Sequence, residues 1–155
     1  MVPTRGECVL AQLPLWLSAL WWGSMSAVGF LVVPLLFVHL PTPAMAGGMA
    51  AKLFTAQTWV ALVCGLLLLL TSRQHKPEVS ETPGQATMIF IVGAMLLALL
   101  SEFAVAPRIL MREHLALWHS VGSLMYFAHW LCTGIVFWRL SRNGKRVGLN
   151  RDALF

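Results

Sequence analysis

Few side chains in this sequence can do chemistry, and the most unusual of them is Glu102. It stands in the run LLALLSEFAVAPR, residues 96–108, which is otherwise mostly apolar. A carboxylate inside a lipid bilayer costs free energy, about 2.5–3.5 kcal/mol at the bilayer centre, and is expected to have a partner. Arg108 lies six residues further on and points to another face of a straight helix. We therefore predict that Glu102 pairs with Lys52 or His119 of another helix.

The strongly polar side chains of the apolar runs gather near one membrane surface, predicted to be the outer one. They come from different runs and form a predicted outer-leaflet polar cluster: Lys52, Glu102, Arg108, His119 and His39. Such a cluster predicts a binding site for an ion or a small solute. The alternative is that a charged pair within it only fixes the register of the helices.

The histidines leave a haem site open. A b-type haem takes two axial ligands at similar depth on different helices, and His39 with His119 meets that condition. A weaker set is His129 with a methionine of another helix. His119 and His129 are ten residues apart, about 15 Å along a helix, so they cannot bind one metal ion together. Without a cofactor, His129 is predicted to be a neutral imidazole bonded to a neighbouring carbonyl or hydroxyl group.

A copper site is a further alternative, because imidazole and thioether groups suit copper. Side chains of these two types cluster on the predicted outer side: His39, Met45, Met49, Met111 and His114. Methionine is also ordinary filling of membrane helices. The residues alone therefore leave haem b, copper and no cofactor as open alternatives.

No motif favours an enzyme. The sequence contains no HEXXH zinc motif, no glycine-rich phosphate loop and no recognised arrangement of serine, histidine and carboxylate for a hydrolase. We expect any chemistry to take place within the helices or at their ends.

The elements that position these residues are four apolar runs. The chain has 155 residues, of which 58% are apolar and 11% charged, and its mean hydropathy is +0.74. The runs cover residues 13–40, 50–72, 86–106 and 115–140. Each reaches the roughly 20 residues that a helix needs to cross a bilayer, and continuous apolar runs differ from the alternating strands of a barrel. We predict an all-α fold, an integral membrane four-helix bundle that forms a single membrane domain.

Two features within the runs predict how the helices pack. In the first run, Gly23 and Ala27 are small enough to let a neighbouring helix approach closely, and Pro34 should kink the helix. In the fourth run, His119 and Tyr126 are seven residues apart and share a face, which is predicted to point to the interior of the bundle.

The basic residues predict the orientation of the chain. Eight of the eleven lysines and arginines lie in the N-terminal segment, the 73–85 loop or the C-terminal region. Basic residues favour the cytoplasmic side, so both termini are predicted to be cytoplasmic in the cell membrane. The basic tail, residues 141–155, is predicted to contact anionic lipid headgroups. It lacks the interleaved aromatic residues of a nucleic-acid site, so no nucleic-acid partner is expected.

Four segments carry a resemblance to a known family: WGSMSAVGFLVVPLLF, AAKLFTAQTWVAL, APRI and LWHSVGSLMY. Over roughly residues 15–140 the chain resembles the family typified by transmembrane protein 205, multi-pass membrane proteins whose domain has no established function. More distantly, the layout looks like copper-resistance protein D, whose paired ligand histidines are not matched here. The first resemblance implies importance for a set of residues that overlaps the polar cluster: Gly23, Pro34, Lys52, Phe54, Pro107, His119 and Ser123.

Three functions are left open by the sequence. The leading one is a non-enzymatic membrane protein that binds an ion or small solute at the polar cluster and assists its transport or tolerance. The second is a b-type haem protein that moves electrons. The third is an accessory or oligomeric subunit without a site. Four short helices barely enclose a path for a solute, which favours a homo-oligomer or a larger membrane complex.

Overall fold

The computed structural model of the protein describes the backbone of residues 5–74, 83–111 and 114–152. Side chains are described for residues 12–72, 85–111 and 114–142. The predicted headgroup contacts of the basic tail beyond residue 142 lie outside the described side chains.

Four long helices make up the described chain. The first, α1, consists of an α-helix, a π-helical turn and a second α-helix: Arg5–Ala27, Val28–Val32 and Val33–His39. The second, α2, is the α-helix Pro43–Gln74. The third, α3, repeats the design of α1: Pro83–Leu100, the π-turn Ser101–Val105 and Ala106–Leu110. The fourth, α4, is the α-helix Leu115–Asp152.

These helices confirm the predicted fold class. Each contains a span that is long and apolar enough to cross a membrane: Gln12–His39, Pro43–Ser72, Gln85–Leu110 and Leu115–Arg142. Many large apolar side chains are exposed on the outer surface of the bundle, as expected where acyl chains replace water as the solvent. The chain is an all-α, multi-pass membrane bundle. The cytoplasmic position of its termini stays a prediction.

Two helices are longer than predicted at the end of the bundle that carries residues 40–42, here called the 40–42 end. α2 begins at Pro43 instead of residue 50, because proline is well suited to the first turn of a helix and Thr42 caps it. The Thr42 side chain accepts a hydrogen bond from the Met45 backbone N–H at 3.3 Å. α3 continues past Pro107 to Leu110, whereas residue 106 was the predicted end.

The prolines explain why both π-turns occur where they do. Pro34 and Pro107 each stand two residues after a π-turn. A proline ring in a regular helix clashes with the carbonyl four residues earlier. The wider turn, in which Val33 donates to the Val28 carbonyl five residues back, relieves that clash and lets the helix continue. The irregularity predicted at Pro34 is thus a π-turn, and α3 contains a second one that was not predicted.

The helices pack as a four-membered ring in which α1 and α3 each contact both α2 and α4. The buried core lies between them and contains mainly apolar side chains: Trp21, Met25, Ala61, Cys64, Leu68, Ile91, Ala94, Ala98 and Val136. Across the ring, Phe54 of α2 meets Tyr126 of α4 edge to face, with ring centroids 5.2 Å apart. The predicted close approach at Gly23 is wrong, because an added Cβ there would meet nothing within 4 Å. Gly65 is a tight position of α2, with Met95 and Trp21 against it.

The two helical hairpins are internal repeats of one design. The motif F-x-V-x-P occurs at Phe30–Pro34 and again 73 residues later at Phe103–Pro107. The same offset relates buried residues of α1 to buried residues of α3: Ser18 to Ile91, Trp21 to Ala94 and Met25 to Ala98. An offset of 72 relates α2 to α4: Gln57 to His129, Ala61 to Thr133 and Cys64 to Val136. Because each hairpin crosses the membrane twice, the repeats run in parallel about an axis along the membrane normal.

Candidate functional site

Glu102 and Thr55 form the polar contact between α2 and α3. Glu102 lies on the π-turn of α3 and is partly buried. The Thr55 hydroxyl donates to a carboxylate oxygen of Glu102 at 2.8 Å, and the same hydroxyl lies 3.2 Å from the Ala51 carbonyl. The partner of Glu102 is therefore a neutral side chain.

The predicted ionic partners of Glu102 are wrong. Among the described side chains, none of the basic groups comes within ion-pair distance of its carboxylate, and both Lys52 and His119 are exposed. Lys52 is one turn closer to the 40–42 end than Thr55, and a lysine there extends its amine toward the membrane surface. His119 is seven residues, about 10 Å, closer to that end than Tyr126, the α4 residue that meets the equivalent π-turn of α1.

The other members of the predicted cluster are separate from one another. The Arg108 guanidinium lies over the Trp118 ring, 4.2 Å from its centroid, in a cation–π contact that joins the end of α3 to α4. His39 is exposed, and its Nδ1 is 3.0 Å from the Leu35 carbonyl of its own helix. His119 is exposed and Tyr126 is partly buried, so of these two residues only Tyr126 has the predicted inward position.

Glu102 lies deeper in the membrane span than predicted. Because α3 continues to Leu110, eight residues, or about 12 Å, separate Glu102 from its end. The middle of the span Gln85–Leu110 falls between Leu97 and Ala98, about 7 Å from Glu102 along the helix. The carboxylate is thus within the hydrocarbon region by helix length, about two turns below the end of α3.

Two exposed aromatic residues lie close to Glu102 and Thr55 along their helices. Phe103 is 71% exposed and follows Glu102 directly. Trp59 is 63% exposed and lies one turn along α2 from Thr55. It stands near the middle of the span Pro43–Ser72, which is not the depth of an interfacial tryptophan belt.

The π-turn and Pro107 also change the backbone around Glu102. The Ala106 N–H donates to the Ser101 carbonyl, five residues back. In a regular helix it would donate to Glu102, and the next carbonyl, of Phe103, would receive the N–H that Pro107 lacks. The backbone carbonyls of Glu102 and Phe103 therefore lack their usual helical N–H donors. Their oxygens add negative partial charge to this part of the helix.

The equivalent π-turn of α1 is closed by a side chain. Gly29 occupies the position of Glu102, and the Tyr126 hydroxyl donates to the Met25 carbonyl at 2.7 Å. The Gly29 backbone is hydrogen-bonded to the same hydroxyl, so Tyr126 stands between two groups that would bond each other in a regular helix. A Cβ at Gly29 would lie 2.5 Å from the Tyr126 ring. Phe54, the counterpart of Tyr126 in α2, has no hydroxyl.

A second polar layer lies deeper in the core. His129 is 5% exposed, and its Nε2 has no hydrogen-bond partner in the described structure, in contrast to the predicted bond. Its ring meets the edge of Trp21 at 5.8 Å between centroids. The Thr133 hydroxyl lies 3.8 Å from the Met25 sulfur, and Gln57 donates to the Ser24 hydroxyl at 3.0 Å.

The residues predicted to bind cofactors are not assembled into a ligand set. His39 and His119, the predicted haem pair, are both exposed. The predicted copper ligands are exposed at the 40–42 end: His39, Met45, Met49, Met111 and His114. Among the described residues, no group of three or more His, Cys, Asp or Glu side chains is arranged to hold a metal ion. Cys64 and Cys132 are free thiols.

Sequence reasoning missed Thr55, Trp59 and Gly29. Thr55 is three residues from Lys52 and was passed over because a charge was expected to answer a charge. The repeated F-x-V-x-P motif was the available signal for Gly29, since it aligns this residue with Glu102.

Comparisons with known proteins place the chain in a family. No curated protein and no solved structure matches it. A family model described as a domain of unknown function, DUF4149, matches residues 16–116, which include both π-turns, Thr55 and Glu102. The match covers about two-thirds of the chain and ends at the start of α4. The chain therefore belongs to the DUF4149 family, a family of unknown function.

Proposed function

We propose that Glu102 binds a cation reversibly inside the membrane, the simplest being a proton, and that the protein uses this site in transport of, or tolerance to, a solute. One observation carries the proposal: a carboxylate at hydrocarbon depth has a neutral hydroxyl as its protein partner. An ionised carboxylate in lipid is costly without a counter-charge. Binding of a proton or a mobile cation removes that cost, and release of the proton or cation restores the empty site.

A role only in fixing the helices is less well supported. A lock needs a permanent partner, and a Thr–Gln or Thr–Ser pair would supply an interhelical hydrogen bond without the cost of a charge. The described basic side chains near the 40–42 end are instead directed elsewhere, as Arg108 over Trp118 illustrates. The carboxylate is thus available to a cation that comes and goes.

The resemblance to the transmembrane protein 205 family supports the same place in the fold. Of the residues that it implies, Lys52, Phe54 and Pro107 lie beside Thr55 or Glu102 along their helices.

We also propose that the protein resides in the cell membrane with cytoplasmic termini, that its basic tail contacts anionic headgroups and that it forms homo-oligomers. The orientation is tested with single-cysteine variants, Thr42→Cys and Glu78→Cys, and an impermeant thiol reagent added to intact cells. The cysteine at position 42 should react first.

A hydrophobic carbodiimide tests the proposed function. This reagent adds to a protonated carboxyl group and ends as a stable N-acylurea, which peptide mass spectrometry locates. We expect labelling of Glu102 in the lipid-reconstituted protein and none in Glu102→Gln. A well-folded Glu102→Gln protein with unlabelled wild type at every pH would contradict the proposal. Loss of folding in Glu102→Gln, together with an unlabelled wild type, would favour a helix lock.

The haem alternative rests on the buried Nε2 of His129. Its surroundings fit a haem poorly, because Trp21 and Met25 are fully buried beside it and fill the space between α1 and α4. An absorption spectrum of protein made under haem-replete expression tests this. A Soret band that disappears in His129→Ala would establish the alternative, and a colourless protein would remove it.

A further inference from the structure

We propose that the Glu102 site takes a lipophilic organic cation that enters sideways from the bilayer. This inference rests on the proposed function and adds the class of ligand to it.

The access to Glu102 leads through lipid. Thr55 is exposed and Glu102 partly exposed on the outer surface between α2 and α3, at a depth where the solvent is acyl chain. On the inner side, the contact of Phe54 with Tyr126 closes the bundle at this level. An inorganic ion would have to lose its hydration shell to follow the lipid route, at a cost of many kcal/mol. A cation whose charge is covered by hydrocarbon groups already partitions into the bilayer.

The aromatic side chains fit such a ligand. Trp59 lies one turn from Thr55 along α2 and Phe103 follows Glu102 in α3, and both rings are exposed. The face of an aromatic ring attracts a cation and also packs against apolar substituents. An exposed tryptophan at mid-depth has no interfacial headgroup to bind, so its position is better explained by a ligand than by anchoring.

The described basic side chains nearest the site do not form an ion pair with Glu102, so a cationic ligand can take that position. Lys52 is the nearest described basic residue along α2, and it is exposed without an ion pair to Glu102. Arg108 is held over Trp118, and His119 lies toward the 40–42 end. The exchange balances as a protonated carboxyl plus a free cation giving a carboxylate–cation pair plus a released proton. Binding of the ligand and of the proton should therefore compete.

The π-turn of α1 supplies the matched control. Phe30 is 57% exposed and is the counterpart of Phe103, but its turn carries Gly29 where α3 carries Glu102. The repeat places Leu131, which is not aromatic, at the position of Trp59, so Trp16, 67% exposed near the start of its span in α1, serves as the tryptophan control. Neither control residue adjoins a described carboxylate on its own helix.

The experiment measures binding of tetraphenylphosphonium to the full chain in lipid nanodiscs. We expect saturable binding with proton release, at least 10-fold weaker in Glu102→Gln and about 3- to 10-fold weaker in Trp59→Leu and Phe103→Leu. Trp16→Leu and Phe30→Leu should bind as the wild type does. Tetraphenylphosphonium should also protect Glu102 from the carbodiimide, while Trp59→Leu should keep its labelling in the absence of the cation.

The outcomes separate the two proposals. Labelling of Glu102 without tetraphenylphosphonium binding, or with protection by sodium ions alone, overturns the lipophilic ligand and leaves the proposed function standing. Equal weakening in the Phe103 and Phe30 variants also overturns it. An unlabelled Glu102 overturns the proposed function itself.

Discussion

The two π-turns of this protein have the same backbone design and opposite chemistry. In α1 the turn is filled by protein: Gly29 makes room for the Tyr126 ring, and the tyrosine hydroxyl satisfies the Met25 carbonyl. In α3 the same position is Glu102, and Thr55 donates to it, while Phe54, the α2 counterpart of Tyr126, carries no hydroxyl. The α1 turn is closed by a protein side chain, and the carboxyl group of the α3 turn has a neutral hydroxyl as its partner among the described side chains.

The difference shows that one backbone design can carry two kinds of side-chain chemistry. Both turns answer the same steric problem, a proline inside a spanning helix. Phe54, the α2 counterpart of Tyr126, has no hydroxyl, and the polar contact described for the α3 turn is made by Glu102 with Thr55. We infer that α1 carries the stabilising version and α3 the chemically active one.

The largest expected effect is on the closed turn. Gly29→Ala places a Cβ 2.5 Å from the Tyr126 ring, which should shift the helices and lower the free energy of unfolding by about 1–3 kcal/mol. Thermal or denaturant unfolding in detergent measures this. Gly23→Ala is the control, since its Cβ meets nothing within 4 Å and alanine favours helix. Equal stability of the two variants would show that Tyr126 does not fill the turn.

The next effect is smaller and tests the hydroxyl alone. Tyr126→Phe copies Phe54 and removes the hydrogen bond to the Met25 carbonyl. The free energy of unfolding should fall by about 1 kcal/mol. Carbodiimide labelling of Glu102 should stay as in the wild type, because the two turns act separately. A large change in labelling would show that the two turns are coupled, which would contradict their separate action.

The smallest stability effect is expected at the open turn. Thr55→Val removes the donor to Glu102 and should cost about 0.6 kcal/mol, at most about 1.7. Because Thr55 is the described partner of Glu102, the variant should also label Glu102 with the carbodiimide to a different extent from the wild type at the same pH. Thr71→Val, whose hydroxyl bonds the Leu68 carbonyl of its own helix, should leave the labelling curve unchanged. An unchanged curve in Thr55→Val would remove Thr55 from the site.

The fold could be predicted because lipid imposes a simple rule on the chain. A spanning segment must be long, apolar and helical, so four runs of suitable length indicate four helices. The helix ends were less accurate. The apolar runs predict loops at Pro43 and Pro107, although the first is suited to a helix start and the second is accommodated by a π-turn.

The candidate site was only partly predictable for a related reason. Glu102 stands out from the sequence because it is a carboxylate in an otherwise mostly apolar run. Its partner could not be identified, because treating Pro107 as the end of α3 placed Glu102 too close to the surface, level with Lys52 and His119. The seven-residue spacing of His119 and Tyr126 identified a shared face but not that His119 is exposed. Depth and rotation depend on the packing of the neighbouring helices, which a single sequence does not contain.

The most direct test of the central claim is the infrared spectrum of the lipid-reconstituted protein at neutral pH, compared with Glu102→Gln. A protonated carboxylic acid and an ionised carboxylate absorb in separate regions, so the difference spectrum reports the state of Glu102 itself. The account predicts a carboxylic-acid band in the wild type that is missing from Glu102→Gln and that decreases when tetraphenylphosphonium is added. A difference spectrum with only a carboxylate band, unchanged by added cation, would contradict it.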